Sequence, residues 1–490
     1  MAALRSPKRL KTEVLAGLVV ALALIPEAIS FSIIAGVDPR VGLFASFTMA
    51  VTIAFVGGRP AMISAATGSI ALVIAPLARE YGFDYLVATV LLGGAMQIVL
   101  SLLGVARLMR FVPRSVMVGF VNALAILIFL SQLPYLIGVP ALVYPFVVIG
   151  LVIMVFLPKL TTVIPAPLVA IVVLTAVVLA LKVHIPNVGD EGELPSSLPS
   201  LFVPQVPFNL HTLTIIAPYA LAMALVGLLE SLLTAKLVDD ITDTHSNKTR
   251  ESWGQGVANI VTGAFGGMGG CAMIGQTMIN VKVSGARTRI STFLAGLFLL
   301  CLVVGLGDIV GLIPMAALVA VMIMVSVGTF DWHSIAPSTL RRMPRSETLV
   351  MVATVAVTVA TNNLAYGVIV GALTAMVLFA RRVAHLVTVE RTVDSCEGTD
   401  RTLDTVTYRV TGELFFASSN DLVYQFDYAG DPRTVVIDMS ESHIWDASTV
   451  AALDAVTTKY HAKGKRVEII GLNTDSADRH DRLSGTLGAG

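Results

Sequence analysis

The sequence predicts an α-helical polytopic membrane protein that ends in a small α/β domain. Three observations carry this. Mean hydropathy is +0.82 over the chain, with 55% apolar and only 13% charged residues, against roughly 25% charged in a soluble domain. Apolar stretches of about the 20 residues that a spanning helix needs crowd the chain from Glu13 to Ala384. Beyond Arg381 and Arg382 the pattern changes to short strands and helices in alternation.

The apolar stretches number about fourteen, near 13–36, 40–57, 63–78, 84–104, 112–136, 141–158, 164–182, 212–236, 252–267, 272–283, 288–306, 308–328, 346–363 and 366–384. The third and tenth are short and rich in Gly and small polar residues, and they read as half-helices. Charge placement tests the count. With the N-terminus inside, one set of loops collects Arg59, Arg107, Arg110, Arg114, Lys159, Lys248, Arg250, Lys282, Arg287, Arg289, Arg341, Arg342 and Arg345. The opposite loops keep Arg40, Arg79 and Lys182, and the longest of them is acidic at Asp190, Glu191 and Glu193. This is a positive-inside asymmetry, and it survives every crossing.

No cleavable signal peptide is expected. Residues 1–12 read as a cytoplasmic tail and 13–384 as the membrane domain, with halves at about 13–182 and 212–384. Residues 385–403 read as a linker, 404–483 as the α/β domain and 484–490 as a disordered tail. The default compartment is an inner membrane, with both ends cytoplasmic. Net charge is zero, so nothing draws nucleic acid. Cys271, Cys301 and Cys396 lack metal-like spacing, and neither a disulfide framework nor a cofactor is expected.

In the first stretch, Pro26 disturbs the helix and Glu27 follows near mid-membrane, where a carboxylate costs several kcal/mol on insertion scales. Glu27 reads as a proton or substrate site, or as a neutral carboxyl serving packing. Phe31 lies four residues on, hence on the same face, as a pocket wall or a core aromatic. Glu230 is the second intramembrane acid, and Thr234 shares its face. Together they could hold a proton, or Na⁺ through oxygen ligands, or make only a helix–helix hydrogen bond.

The half-helices hold Thr67 and Gly68 in one and Gly275 and Gln276 in the other. Irregular backbone at membrane depth is tolerated only where protein or water buries it. A helix that begins there points unsatisfied N–H groups and its positive dipole end into the cavity, which is an anion site without a charged side chain. The alternative is Gly/Ala helix packing. The paired positions in the two halves are those expected of an inverted-repeat transporter's site.

IPEAISFSIIAGVDPRVGLFAS, VDDITDTHSNKTRESWGQGVANIVTGAFGGMGG and NVKVSGARTRIS together resemble the SulP family of anion carriers, which includes the solute carrier 26 transporters. The family's LPQALAFA…AGLPP segment is matched by IPEAISFSIIAGVDP, and TVVIDMSESHIWDASTVAAL is similar to the centre of a STAS domain. The resemblance implies fourteen helices in two inverted seven-helix repeats, divided into core and gate domains, with an elevator-like shift of the core and a homodimer as the usual assembly. It implies substrate contact at Glu27, Phe31, Thr67, Gly68, Gly275 and Gln276, and a coupling-ion position at Glu230 and Thr234. Two departures stand out. Many relatives carry Arg where this chain has Gln276, so an anion is repelled unless one carboxyl is protonated. In the STAS loop Ser448 matches a serine that regulatory relatives phosphorylate, or it is an ordinary helix N-cap.

The function expected is secondary transport of bicarbonate, sulfate, chloride or a dicarboxylate, coupled to H⁺. Alternatives are a sodium-coupled bicarbonate symporter, an anion exchanger or channel, and a nucleobase permease, against which the STAS segment and VDDITDT count. An enzyme is not expected, because no HExxH motif is present and no nucleophile has a nearby base.

Overall fold

The computed structural model describes residues 7–108, 112–160, 166–195, 197–384, 387–394 and 405–485. Residues 1–6 of the N-terminal tail, Arg110, Cys396 with most of the expected linker, and residues 486–490 of the C-terminal tail lie outside the described residues.

The first half contains α1 (Pro7–Ala35), α2 (Pro39–Val56), β1 (Ser64–Ala65), α3 (Gly68–Tyr81), α4 (Phe83–Leu102), the single turn α5 (Val105–Leu108), α6 (Arg114–Gln132), α7 (Val143–Leu160) and α8 (Ala166–Leu181). The second contains α9 (Leu210–Thr242), α10 (Lys248–Ala264), β2 (Cys271–Ala272), α11 (Ile274–Met278), which continues as a π turn over Ile279–Val283, then α12 (Arg289–Gly311), α13 (Met315–Thr329), α14 (Pro337–Arg342), α15 (Arg345–Thr361) and α16 (Leu364–Ala384). Each of the fourteen apolar stretches overlaps a helix. Eight of the helices, α1, α2, α4, α6, α7, α9, α12 and α16, are long and apolar enough to cross a membrane, and α8 and α13 are shorter apolar helices. α3 has 14 residues, α10 and α15 have 17 and α11 has 5, all short of the ~20 that a span needs.

The boundaries follow local chemistry. Asp38 and Pro39 open α2, and Asn209 and Asn247 cap α9 and α10 by accepting from Thr212 N–H at 2.7 Å and Arg250 N–H at 2.8 Å. Three differ from the sequence reading. α1 starts at Pro7, inside the expected tail, since Lys8 and Arg9 tolerate an exposed helical turn. α9 runs on through VDDIT to Thr242, because Asp239 finds ion-pair partners there. The break expected near residue 307 is only a kink at Leu306 between Gly305 and Gly307, and the helix ends at Gly311 before Pro314.

The chain divides into two compact units, with the boundary between Ala372 and Leu373 inside α16. In the first unit, α1–α4 pack with α9–α12, while α6–α8 pack with α13 and α6 also with α15. This is the partition expected of core and gate. In the second unit, β3 (Thr388–Asp394), β4 (Thr405–Leu414), α17 (Phe416–Leu422), β5 (Thr434–Ile444), α18 (Ala447–His461), β6 (Arg466–Ile470) and α19 (Thr474–Leu483) follow in order. The sheet order is β3-β4-β5-β6, with β3 antiparallel to β4 and the remaining pairs parallel. β3 corrects the reading of residues 385–403 as a plain linker: its alternating residues pair with β4 from Thr388↔Thr411 to Asp394↔Thr405. Val406, Tyr408, Val435 and Ile437 of the sheet and Val450, Leu453 and Tyr460 of α18 form the core between them. Buried Asp431 accepts from Arg391 at 2.8 Å, Tyr408 at 2.7 Å and Tyr460 at 2.6 Å.

Candidate functional site

The site is built where the chain stops being helical. β1 and β2 pair antiparallel, Ser64 opposite Ala272 and Ala65 opposite Cys271. α3 and α11 each begin just after their strand, so both helices start from one crossing point. A Cβ on Gly270 would sit 2.0 Å from the Ala65 carbonyl oxygen, so the crossing admits only glycine there.

Irregular backbone at this depth must have its polar groups satisfied, and side chains from neighbouring helices do so. Ala66 N–H donates to Ser46 at 3.2 Å, Ala272 N–H to Ser231 at 3.1 Å and Ile63 N–H to Thr277 at 3.0 Å. Asn259 both accepts from Gly270 N–H at 2.8 Å and donates to its carbonyl at 3.0 Å. The VDDITDTHSNKTRES stretch secures the approach to β1. Asp239 pairs with Arg59 at 2.9 Å and Lys248 at 2.5 Å. The Glu251 carboxylate accepts from Gly58 N–H at 2.7 Å and Arg59 N–H at 2.9 Å.

A cavity of about 440 Å³ opens over the crossing. Glu27, Phe31, Thr67, Glu230 and Gly275 line one side of it, and Phe120, Leu124, Ile128, Val325 and Thr329 from α6 and α13 line the other. Six of the eight expected site residues therefore behave as one group: five line the cavity, and Gln276 donates from Nε2 to Glu27 Oε1 at 2.9 Å. Glu27 and Glu230 are the only ionisable residues in the lining, among the described residues.

The other two expected residues act differently. A Cβ on Gly68 would lie 2.8 Å from the Phe31 ring, so the lack of a side chain here makes room for Phe31. By contrast a Cβ on Gly275 meets nothing within 4 Å. Thr234 shares a helix face with Glu230, but its hydroxyl donates to the Glu230 backbone carbonyl at 2.8 Å. The Glu230 carboxylate is held instead by Ser69, which donates to Oε2, and by the Cys271 thiol at 3.1 Å from the same atom. Thr67 contacts both, 3.1 Å from Ser69 Oγ and 3.1 Å from Cys271 Sγ, while capping α3. Sequence reasoning missed Cys271, because nothing local marks it. Its one signal is its place in GGMGGCAMIGQ, just before the α11 start.

In the second unit, Asp446 caps α18 by accepting from Thr449 N–H at 3.1 Å. Ser448 is thus not the N-cap. It sits exposed in the first turn, where its hydroxyl is accessible.

The sequence matches the model of the Sulfate permease family over residues 10–148 and 142–354, and that of the STAS domain over residues 397–484. It is 52% identical over 467 residues to "Putative sulfate transporter YbaR" of Bacillus subtilis (strain 168), covering 95% of each chain. It is 25% identical to "Bicarbonate transporter BicA" of Picosynechococcus sp., covering 97% of this chain and 91% of that one. Among solved structures, murine Solute Carrier 26 family member A9 in the inward-facing state superposes with a TM-score of 0.82 at 17% identity, over 96% of this chain and 87% of that one. The transmembrane domain of a cyanobacterial BicA gives 0.63 at 24% identity, over 74% of this chain and 98% of that one. With the paired half-helices and the cavity above them, these matches mean that the chain belongs to the sulfate permease family of anion transporters and carries a C-terminal STAS domain.

Proposed function

We propose that this protein is a proton-coupled symporter for a small anion, sulfate, bicarbonate, chloride or a dicarboxylate, working by an elevator-like movement of α1–α4 and α9–α12 against the remaining helices. The observation that carries the reading is the charge of the cavity lining: two carboxyl groups, Glu27 and Glu230, and no cationic side chain among the described residues. Two ionised carboxylates beside a third negative charge are strongly unfavourable in a poorly polarisable site. A proton on one of them cancels a charge and lets the anion enter. Proton and anion then load together. The N–H groups of the first turn of α3 and of the α11 segment, which lack intrahelical partners, supply the attraction.

The names of the relatives point to sulfate and bicarbonate as the first substrates to try. Sodium coupling is the second reading, favoured by the hydroxyl oxygens of Ser69 at the Glu230 carboxylate and of Thr67 beside Ser69, which would suit a hard cation. The working unit we expect is a homodimer in the inner membrane, with the N-terminus and STAS domain on the cytoplasmic side, as the arginine-rich loops argue. Uptake into proteoliposomes tests this with separate H⁺ and Na⁺ gradients and a panel of these anions. An inward proton gradient should accelerate uptake in Na⁺-free buffer, and Glu27→Gln or Glu230→Gln should weaken that response. Uptake that requires Na⁺ and ignores the pH gradient would make Glu230 a sodium ligand instead.

A further inference from the structure

Gln276 is buried, 2% exposed, and only half of its amide is used. Nε2 donates to Glu27 Oε1 at 2.9 Å, while Oε1 has no hydrogen-bond partner among the described residues. Buried carbonyls without a partner are rare and call for a reason. Here the reason lies in Glu27. An ionised carboxylate has no proton to give, so only the nitrogen of the amide can serve it, and the oxygen is left over.

A protonated Glu27 reverses the requirement. Its O–H needs an acceptor, and a half-turn about the last side-chain bond of Gln276 offers Oε1. The same half-turn carries Nε2, with its two N–H donors, to the place of the unpartnered oxygen. Gln276 follows directly on Gly275, which lines the cavity together with Glu27. We propose that Gln276 is a proton-operated switch of the anion site: a proton on Glu27 turns the amide and replaces an acceptor by a pair of donors beside the cavity. The inference rests on the proton-coupled reading above and adds to charge cancellation a gain of attraction. The proton is taken from solvent: an O–H bond of hydronium breaks as the O–H bond at Glu27 forms, and no other bond changes.

The surroundings leave Glu27 as the group that controls the amide. Glu230, on α9, is the one other titratable side chain in the cavity lining among the described residues, and none on the elements packed against α1 lines the cavity. Cys271 sits behind Glu230 and donates to it. Arg40 on α2, Arg79, Glu80 and Tyr81 on α3, Lys282 in the π turn, and Arg289, Cys301 and Asp308 on α12 do not line the cavity. α8, α11 and α13 carry no Asp, Glu, Lys, Arg, His, Cys or Tyr.

Infrared pH-difference spectra of the reconstituted full-length protein test the switch without any substrate. Bands are assigned by their loss in Glu27→Gln and in Gln276→Met. As pH falls, the Glu27 carboxylic-acid band should grow, and the Gln276 carbonyl band should move to lower frequency with the same midpoint. A Glu27 band that titrates while the Gln276 band stays put overturns the switch and leaves proton coupling standing. If no Glu27 band titrates, the switch falls and any coupling proton has to sit on Glu230. In uptake assays with radiolabelled sulfate, chloride and oxalate as probes, Gln276→Met should raise KM at acidic pH about tenfold while the maximal rate stays within about twofold, as expected when hydrogen-bond donors to a charge are lost. An unchanged KM and pH profile in a monodisperse Gln276→Met protein also overturns the proposal.

Discussion

Cys271 Sγ lies 3.1 Å from Glu230 Oε2, and it is brought there by the backbone pairing of Cys271 with Ala65 rather than by any helix of its own. The thiol shares that carboxylate oxygen with the Ser69 hydroxyl, which comes from the first turn of α3 just beyond the opposite strand. One half-helix and the strand that leads into the other therefore grip one acidic side chain of α9.

The grip is testable at the thiol. Cys271→Ala removes one of two donors to Glu230 Oε2, a loss of about 1 kcal/mol, or roughly a fivefold change in the proton dependence of uptake. Cys271→Ser keeps a donor and should stay near the wild-type pH profile. Uptake rates measured across a pH series decide it, and equal profiles for the Ala and wild-type proteins would assign Glu230 to Ser69 alone.

The two glycines at the helix starts should separate folding from transport. Gly275→Leu fills open space above the crossing, so the protein should purify with a melting temperature near that of wild type and yet lose uptake. Gly68→Leu drives a side chain into Phe31, whose ring lies 2.8 Å from the new Cβ. Overpacking of that kind costs about 1–3 kcal/mol. Thermal melts beside uptake assays check both arms, and normal uptake by Gly275→Leu would move the site elsewhere.

The tyrosines of the STAS domain should set its alkaline limit. Burial, and then the hydrogen bond to Asp431, push the Tyr460 hydroxyl up from its ordinary value. Burial also raises Tyr408. A group whose folded value is raised stabilises the fold fully below its unfolded value, about 10 for tyrosine, and that contribution fades as pH rises further. Unfolding of the domain followed above pH 9 should show this loss, and Tyr460→Phe should make it shallower. A variant with the wild-type alkaline profile would remove Tyr460 from the account.

The residues lining the cavity all belong to the first unit. Truncation after Ala384 should therefore leave the KM for the transported anion within a few-fold of the full-length value, although yield or regulation can change. Side-by-side uptake kinetics of the two proteins check this. A changed substrate preference would require the STAS domain to shape the site.

The membrane-helix order, the paired half-helices and the two intramembrane acids were legible in the sequence because each is a local property. Hydropathy over about 20 residues marks a helix, Gly-rich interruptions at Thr67–Gly68 and Gly275–Gln276 mark the breaks, and a lone Glu in an apolar run announces itself. STAS strands β4, β5 and β6 were legible from alternation alone. β3 was not, because its seven residues (TVERTVD) are mostly polar and are held in the sheet by pairing with β4.

What the sequence determined by itself was therefore the set of groups that could meet in the membrane: Glu27, Phe31, Thr67, Glu230, Gly275 and Gln276. Only the tertiary structure decided the partnerships. A side chain's partner depends on which distant strand crosses beside it, and helical periodicity carries no information across 41 residues, the separation of Glu230 from Cys271. Spacing suggested that Thr234 serves the Glu230 carboxylate, but a threonine hydroxyl on a helix reaches the backbone carbonyl four residues back first, and here that is the Glu230 carbonyl. Only the tertiary structure likewise shows that a side chain at Gly68 would meet the Phe31 ring, while Gly275, of the same residue type at the matching position, faces open space.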